Sequence, residues 1–131
     1  MTIDTLKQYR HLKRELANQR ERLIEICDIG IPTGFSGIRS SGISDRVGNQ
    51  ATRMADVREC FEHNIARCAF ELNRILRYVE KVSDSYIREL FRLRFIDGYS
   101  WLQVAQKSGG AGDGSTERKC VLRYIEREAA Q

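Results

Sequence analysis

The clearest regularity in the chain is an apolar stripe at alternating steps of four and three residues. It runs through Val47, Ala51, Met54, Arg58, Phe61, Ile65, Cys68, Leu72, Ile75, Val79 and Val82, with Arg58 as its one polar member. A sustained 3.5-residue period predicts a long helix whose stripe lies along a partner helix. At about 1.5 Å per residue such a helix is on the order of 55 Å long. A second stripe precedes it. From about Asp4 to Cys27, Tyr9, Leu12, Leu16, Gln19, Leu23 and Ile26 repeat the same spacing, and the other faces carry Lys7, Arg10, Lys13, Arg14, Arg20 and Arg22. The charged faces are read first as solvated surface, with an auxiliary phosphate-contacting surface as the functional alternative. Between the two stripes, residues 28–44 hold Gly30, Pro32, Gly34, Gly37 and Gly42, which predicts a loop. Its Ile29, Ile31, Phe35, Ile38 and Ile43 are too apolar for a plain spacer, so docking onto the helices or onto a second subunit is expected. Helix, loop and long helix together predict an antiparallel helical hairpin. The first helix is too short to cover the whole stripe. The remainder must meet the C-terminal part or another copy, and a homo-oligomer is therefore expected.

The pattern changes after Val82. Ser83 is read as an N-cap and Gly98 as a stop, with Tyr86, Ile87, Leu90, Phe91 and Phe95 forming one wall of a small core. Ser100 is read as the cap of a short helix that points Trp101, Val104 and Ala105 inward and Gln103 and Lys107 outward. Gly109 to Gly114 forms a turn. No strand precedes that turn and no Lys-Ser/Thr pair ends it, so a nucleotide-binding P-loop is not expected. In the last helix, capped by Ser115 or Thr116, the inward stripe is Cys120, Val121, Tyr124 and Ile125. The outward positions are Thr116, Glu117, Arg118, Lys119, Leu122, Arg123 and Arg127. Nothing reads as a strand. The expected class is all-α, with a hairpin and oligomerisation region over 1–82 and a small helix-turn-helix domain over 83–131.

Composition adjusts this picture only slightly. A net charge of +4 leans towards an anionic partner, moderated by 18 acidic residues against 22 basic ones. Cys27, Cys60, Cys68 and Cys120 form no CxxC pair, and Cys60 with His63 supplies two of the four ligands zinc needs. No metal or other cofactor is expected. Scattered thiols fit a reducing compartment, and the N-terminus MTIDTLKQYR lacks the apolar core of a signal peptide, so a cytoplasmic protein without membrane contact is expected. His11 and His63 stand in no nucleophile arrangement, and the carboxylates are spread along helix faces. No catalytic residues are assigned, and an enzyme is not expected.

A basic helix that ends a three-helix unit suits the major groove of duplex DNA. There Arg can hydrogen-bond guanine in bidentate fashion, and Arg and Lys can neutralise phosphates. The residues placed at DNA are Gln103, Lys107, Ser115, Thr116, Arg118, Lys119, Arg123 and Arg127. The stretch SDSYIRELFRLRFIDGYSWLQVAQKSGG…STERKCVLRYIER resembles the fourth conserved region of bacterial sigma factors. It is more similar still to the sigma-like module of small phage-encoded regulators of the ArpU and RinA type. The residues that carry the resemblance are Leu93 to Phe95, Asp97 to Trp101, Val104 to Lys107 and Ser115 to Arg118. LKQYRHLKREL (Leu6 to Leu16) and SDRVGNQAT (Ser44 to Thr52) also look like N-terminal segments of that group. The turn from Gly109 to Gly114 is longer and richer in glycine than the tight sigma turn. The resemblance implies a recognition helix over Thr116 to Arg127, DNA-dependent control of transcription in a phage or prophage, and RNA polymerase as a further partner. Two other readings are a DNA-packaging component like a terminase small subunit, which would form rings, and a helical interaction module without DNA binding.

Overall fold

The structure is a computed structural model that describes residues 1–28 and 43–131, and of residues 43–50 the backbone alone. Among the described residues every regular element is helical and none is a strand, so the fold is all-α. The elements are α1 (Ile3–Lys7), α2 (Tyr9–Asp28), α3 (Ile43–Glu80), α4 (Ser85–Phe91), a π-helical turn (Arg92–Ile96), α5 (Trp101–Lys107) and α6 (Ser115–Ala129). Residues 29–42, the body of the expected loop, lie outside the described residues.

These elements gather into two compact units. Unit one combines residues 1–13 with 70–131, and unit two is residues 14–69. The boundary expected at 82/83 falls inside unit one, because the last turns of α3 and the N-terminal segment share its core.

Unit one begins with α1, whose N-cap Thr2 accepts a hydrogen bond from the Thr5 N–H at 3.3 Å. The one helix expected from Asp4 to Cys27 is divided at Gln8, but only by a tightened turn. Gln8 keeps right-handed helical dihedrals, and its N–H is shared between the Asp4 and Thr5 carbonyls. Leu6 and Tyr9 face the interior beside Leu72, Ile75, Val79 and Val82 of the α3 stripe and its end, with Leu90, Phe91, Leu93 and Phe95 further along. Phe91 is the hub: its ring meets Tyr78, Phe95 and Tyr124 at centroid distances of 6.0, 5.7 and 5.8 Å. The pairs with Tyr78 and Tyr124 are edge-on, and such pairs add about 0.5–1.5 kcal/mol each beyond the area they bury. Burial and the nearby Glu128 carboxylate push the Tyr78 phenol well above its ordinary pKa.

Two expectations for this region need correction. Asp84, not Ser83, caps α4: its Oδ1 accepts from the Tyr86 and Ile87 N–H groups at 2.9 and 3.1 Å. A carboxylate there also complements the helix dipole, which a serine hydroxyl does weakly. Tyr86 does not belong to the core wall. It sits on the solvent side of the first turn, 44% exposed. After Phe91 the helix widens: the Asp97 N–H reaches the Arg92 carbonyl at 2.9 Å, a five-residue step. The segment then stops at Gly98, as expected, with φ at +81°, and the Tyr99 N–H closes on the Leu93 carbonyl at 3.0 Å. The guanidinium of Arg10 lies where a side chain on residue 98 would project.

In unit two the sequence pattern reappears as protection from solvent. Leu16, Gln19, Leu23 and Ile26 of α2 are half-buried, while their neighbours are exposed apart from Glu15. Glu15 lies 3.9 Å from Arg67. Burial, with the Glu15 carboxylate nearby, raises the Cys68 thiol pKa. Glu15 of α2 thus lies beside Arg67 and Cys68 of α3. The α3 stripe is protected only from Phe61 onward. Met54 and Val57 are exposed, and so is Ile24 of α2.

Candidate nucleic-acid interface

Helix α5 starts with a complete capping box. The Ser100 Oγ accepts from the Gln103 N–H at 3.3 Å, and the Gln103 side-chain carbonyl accepts from the Ser100 N–H at 3.0 Å. Val104 and Ala105 are fully buried behind it. Trp101, expected to anchor the core, is half-buried, and the Arg94 guanidinium lies 5.1 Å from its ring centroid. Arg94 is held in turn by a 2.7 Å hydrogen bond to the Tyr99 carbonyl.

The turn into α6 depends on Gly114. Its φ is +87°, and a Cβ there would run into the main-chain carbonyl of Trp101. Only glycine tolerates both the left-handed backbone and that approach. The closeness fixes the start of α6 against the first residue of α5. It also corrects the expected cap: Gly114 occupies the N-cap position, and neither Ser115 nor Thr116 caps through its side chain. Instead the Asp113 Oδ1 accepts from the Ser115 N–H at 3.0 Å. Hydrogen bonding from Ser115 holds the Asp113 carboxyl below the usual carboxylate range.

Glu117 is the second correction. Expected on the outer face, it is 4% exposed, and its Oε2 is enclosed with no hydrogen-bond partner among the described residues. Its Oε1 fills the space that a side chain on Gly110 would take. The available signal is the i, i+4, i+8 spacing of Glu117, Val121 and Ile125, which places the acid on the buried stripe.

With Glu117 withdrawn, the outer surface of the first two turns of α6 carries no carboxylate. Ser115, Thr116, Arg118, Lys119, Arg123 and Arg127 are all exposed. At about 100° per residue they cover roughly 180° of the helix circumference, with Lys119 and Arg123 near its middle. Arg118 and Arg127 stand on opposite flanks. None of the four cations forms an ion pair among the described residues. Ser115, Arg118 and Lys119 line one cleft of about 360 Å³ together with Trp101, Leu122 and the carboxylate of Asp113, which precedes the helix. Arg118, Trp101 and Leu122 also line a neighbouring cleft of about 310 Å³, which adds Lys7 of α1 and Arg94. Lys7 and Arg94 are thus cations beside the outer face of α6 that spacing alone does not connect to it.

On α5, Gln103 and Lys107 are exposed and one turn apart. The Gln103 carbonyl is committed to the capping box. Lys107 stands over the Tyr99 ring at 4.6 Å, a cation–π contact that places its charge. Among the described residues no group of three or more His, Cys, Asp or Glu side chains could hold a metal ion. No helix among them is long and apolar enough to cross a membrane. The chain matches no protein-family model, no curated protein and no solved structure.

Proposed function

We propose that this protein is a phage or prophage transcription regulator that binds duplex DNA through a helix-turn-helix formed by α5, the glycine turn and α6. The observation that carries the reading is the cationic outer arc of α6, whose four cations form no ion pair among the described residues, with the one acid of its first turn turned inward. In this reading Arg118 and Lys119 meet base edges or phosphates near the helix start. Arg123 and Arg127 continue along the groove, and Ser115 and Thr116 donate to phosphates. Gln103 and Lys107 contact the backbone from α5. Self-association is assigned to the part of the hairpin where Ile24, Met54 and Val57 remain exposed in a single chain. The resemblance to sigma-like phage modules supports the class of regulator, and RNA polymerase is the partner it suggests.

The test is a fluorescence-anisotropy titration of random-sequence duplex DNA at low and moderate salt, with solution mass measured in parallel. The Arg118→Ala/Lys119→Ala variant is expected to bind more weakly. Its log–log salt slope should be shallower by up to about 2, at roughly 0.9 for each phosphate no longer neutralised. Wild-type affinity and slope in that variant would sink the assignment. A ring-sized mass would move the protein to the packaging class.

A further inference from the structure

A second surface of unit one has its own chemistry. Along α3, Phe70, Arg74, Arg77 and Lys81 recur at steps of three and four and so share one helix face. With Met1 and Thr5 they line a groove of about 800 Å³. No carboxylate is among the lining residues. Arg74 pairs with Glu71 at 2.8 Å, whereas Arg77 and Lys81 have no ion-pair partner among the described residues. Glu80, the nearest acid in sequence, is committed elsewhere, to Arg92 at 2.7 Å. At the end of this cationic row Phe70 is 67% exposed, with Met1 also exposed.

We propose that this groove docks an acidic amphipathic segment of a partner protein. Charge complementarity selects the sign, because Arg77 and Lys81 face solvent with no ion-pair partner among the described residues, beside an Arg74 that shares its charge with Glu71. Phe70 selects the kind of polymer. A DNA duplex keeps its bases stacked inside and offers an exposed ring little but sugar and phosphate, whereas a peptide helix presents Leu or Phe one turn from Asp or Glu. The row from Phe70 to Lys81 spans roughly 16 Å, the length of a three-turn partner helix. Burying one aromatic side chain against it is the anchor such interfaces use. The site is separate from the outer arc of α6, and the proposal does not rest on DNA binding.

The probe is a random peptide library about 12 residues long, displayed on phage and selected on the full-length chain. Selected peptides are then made with a fluorescent label and titrated. The expected winners are rich in Asp and Glu around a Leu, Phe or Trp. They weaken as salt rises and lose about tenfold or more in affinity for Phe70→Asp/Arg77→Glu. The milder Arg77→Ala/Lys81→Ala variant, on exposed positions, reports the same loss if the first variant misfolds by circular dichroism. Winners without acidic bias, or with equal affinity for both variants and wild type, overturn the proposal. So does a loss of duplex-DNA binding in these variants equal to that of Arg118→Ala/Lys119→Ala, which would make the row a phosphate contact. A shift from oligomer to monomer in Phe70→Asp would also overturn it, since the occupant would then be a second copy.

Discussion

The two parts of the α3 stripe have the same spacing and opposite fates. From Phe61 to Val82 its members are buried or half-buried, and Ile75 and Val79 are fully so. From Ala51 to Arg58 they are exposed. A heptad pattern therefore specifies a helix and a face, but burial needs a surface to receive that face. In unit one the receiving surface is dense: Leu6, Leu90, Phe91 and Val121 are all sealed from solvent. In unit two a half-buried seam along α2 meets the stripe only in part. The difference separates residues that hold the fold from residues available to a partner.

The largest expected effect tests that separation directly. Phe91→Ala should cost about 3–5 kcal/mol, since it empties the hub of three aromatic contacts. Met54→Ala should change the stability of the single chain by less than about 0.5 kcal/mol. Urea titrations followed by Trp101 fluorescence compare the two, and equal losses would erase the distinction. A smaller contrast lies within the glycine turn. Gly114→Ala should cost about 1–3 kcal/mol through its left-handed backbone, with the Trp101 clash added. Gly112→Ala meets nothing within 4 Å and has no such backbone, so it should be nearly neutral. Thermal melts that rank these two variants the other way would remove Gly114 as the clamp on α6.

The smallest effect is electrostatic. Asp113 titrates below its unfolded value, so its hydrogen bonding to Ser115 contributes stability above the ordinary carboxylate pKa. That contribution is lost as pH falls through the lowered folded value. The melting-temperature difference between wild type and Asp113→Asn should therefore be present at neutral pH and fade through the acid carboxylate range. It is small because the group is fully exposed. A difference that stays constant down to strong acid would show that Asp113 acts through something other than its charge.

Much of this architecture is legible in the sequence, for identifiable reasons. The α2 seam at Leu16, Gln19, Leu23 and Ile26, the protected stretch of α3, the Ser100 cap and the Gly98 stop all follow from local periodicity and capping chemistry. The misreadings occur where spacing and residue type leave more than one choice open. Ser83 and Asp84 are both competent caps, and the geometry favours the carboxylate. Tyr86 has helical spacing with Leu90, but the core is already filled by Phe91 and its partners. Glu117 shares a face with Val121, yet an acid fits on a buried stripe only because Gly110 leaves room for it. Of the candidate interface, the exposed cations of α6 are readable from spacing. Lys7 and Arg94 are not, since only the folded chain brings them beside Arg118.

The joining of residues 1–13 with 70–131 in unit one bears on how the protein comes into being. Leu6 and Tyr9 are made before residues 14–69, but the core they enter includes Val121 and Ile125, which are made after them. The chain must carry the whole of residues 14–69 before that core can close, so the pairings that close it are long-range and slow to form. Until then the N-terminal segment lacks its permanent neighbours and is open to chaperones. A fragment cut at residue 83 would inherit the same deficit for good. Unit one is completed by residues 1–13, so residues 83–131 are not a cassette that can be lifted out at the sequence boundary.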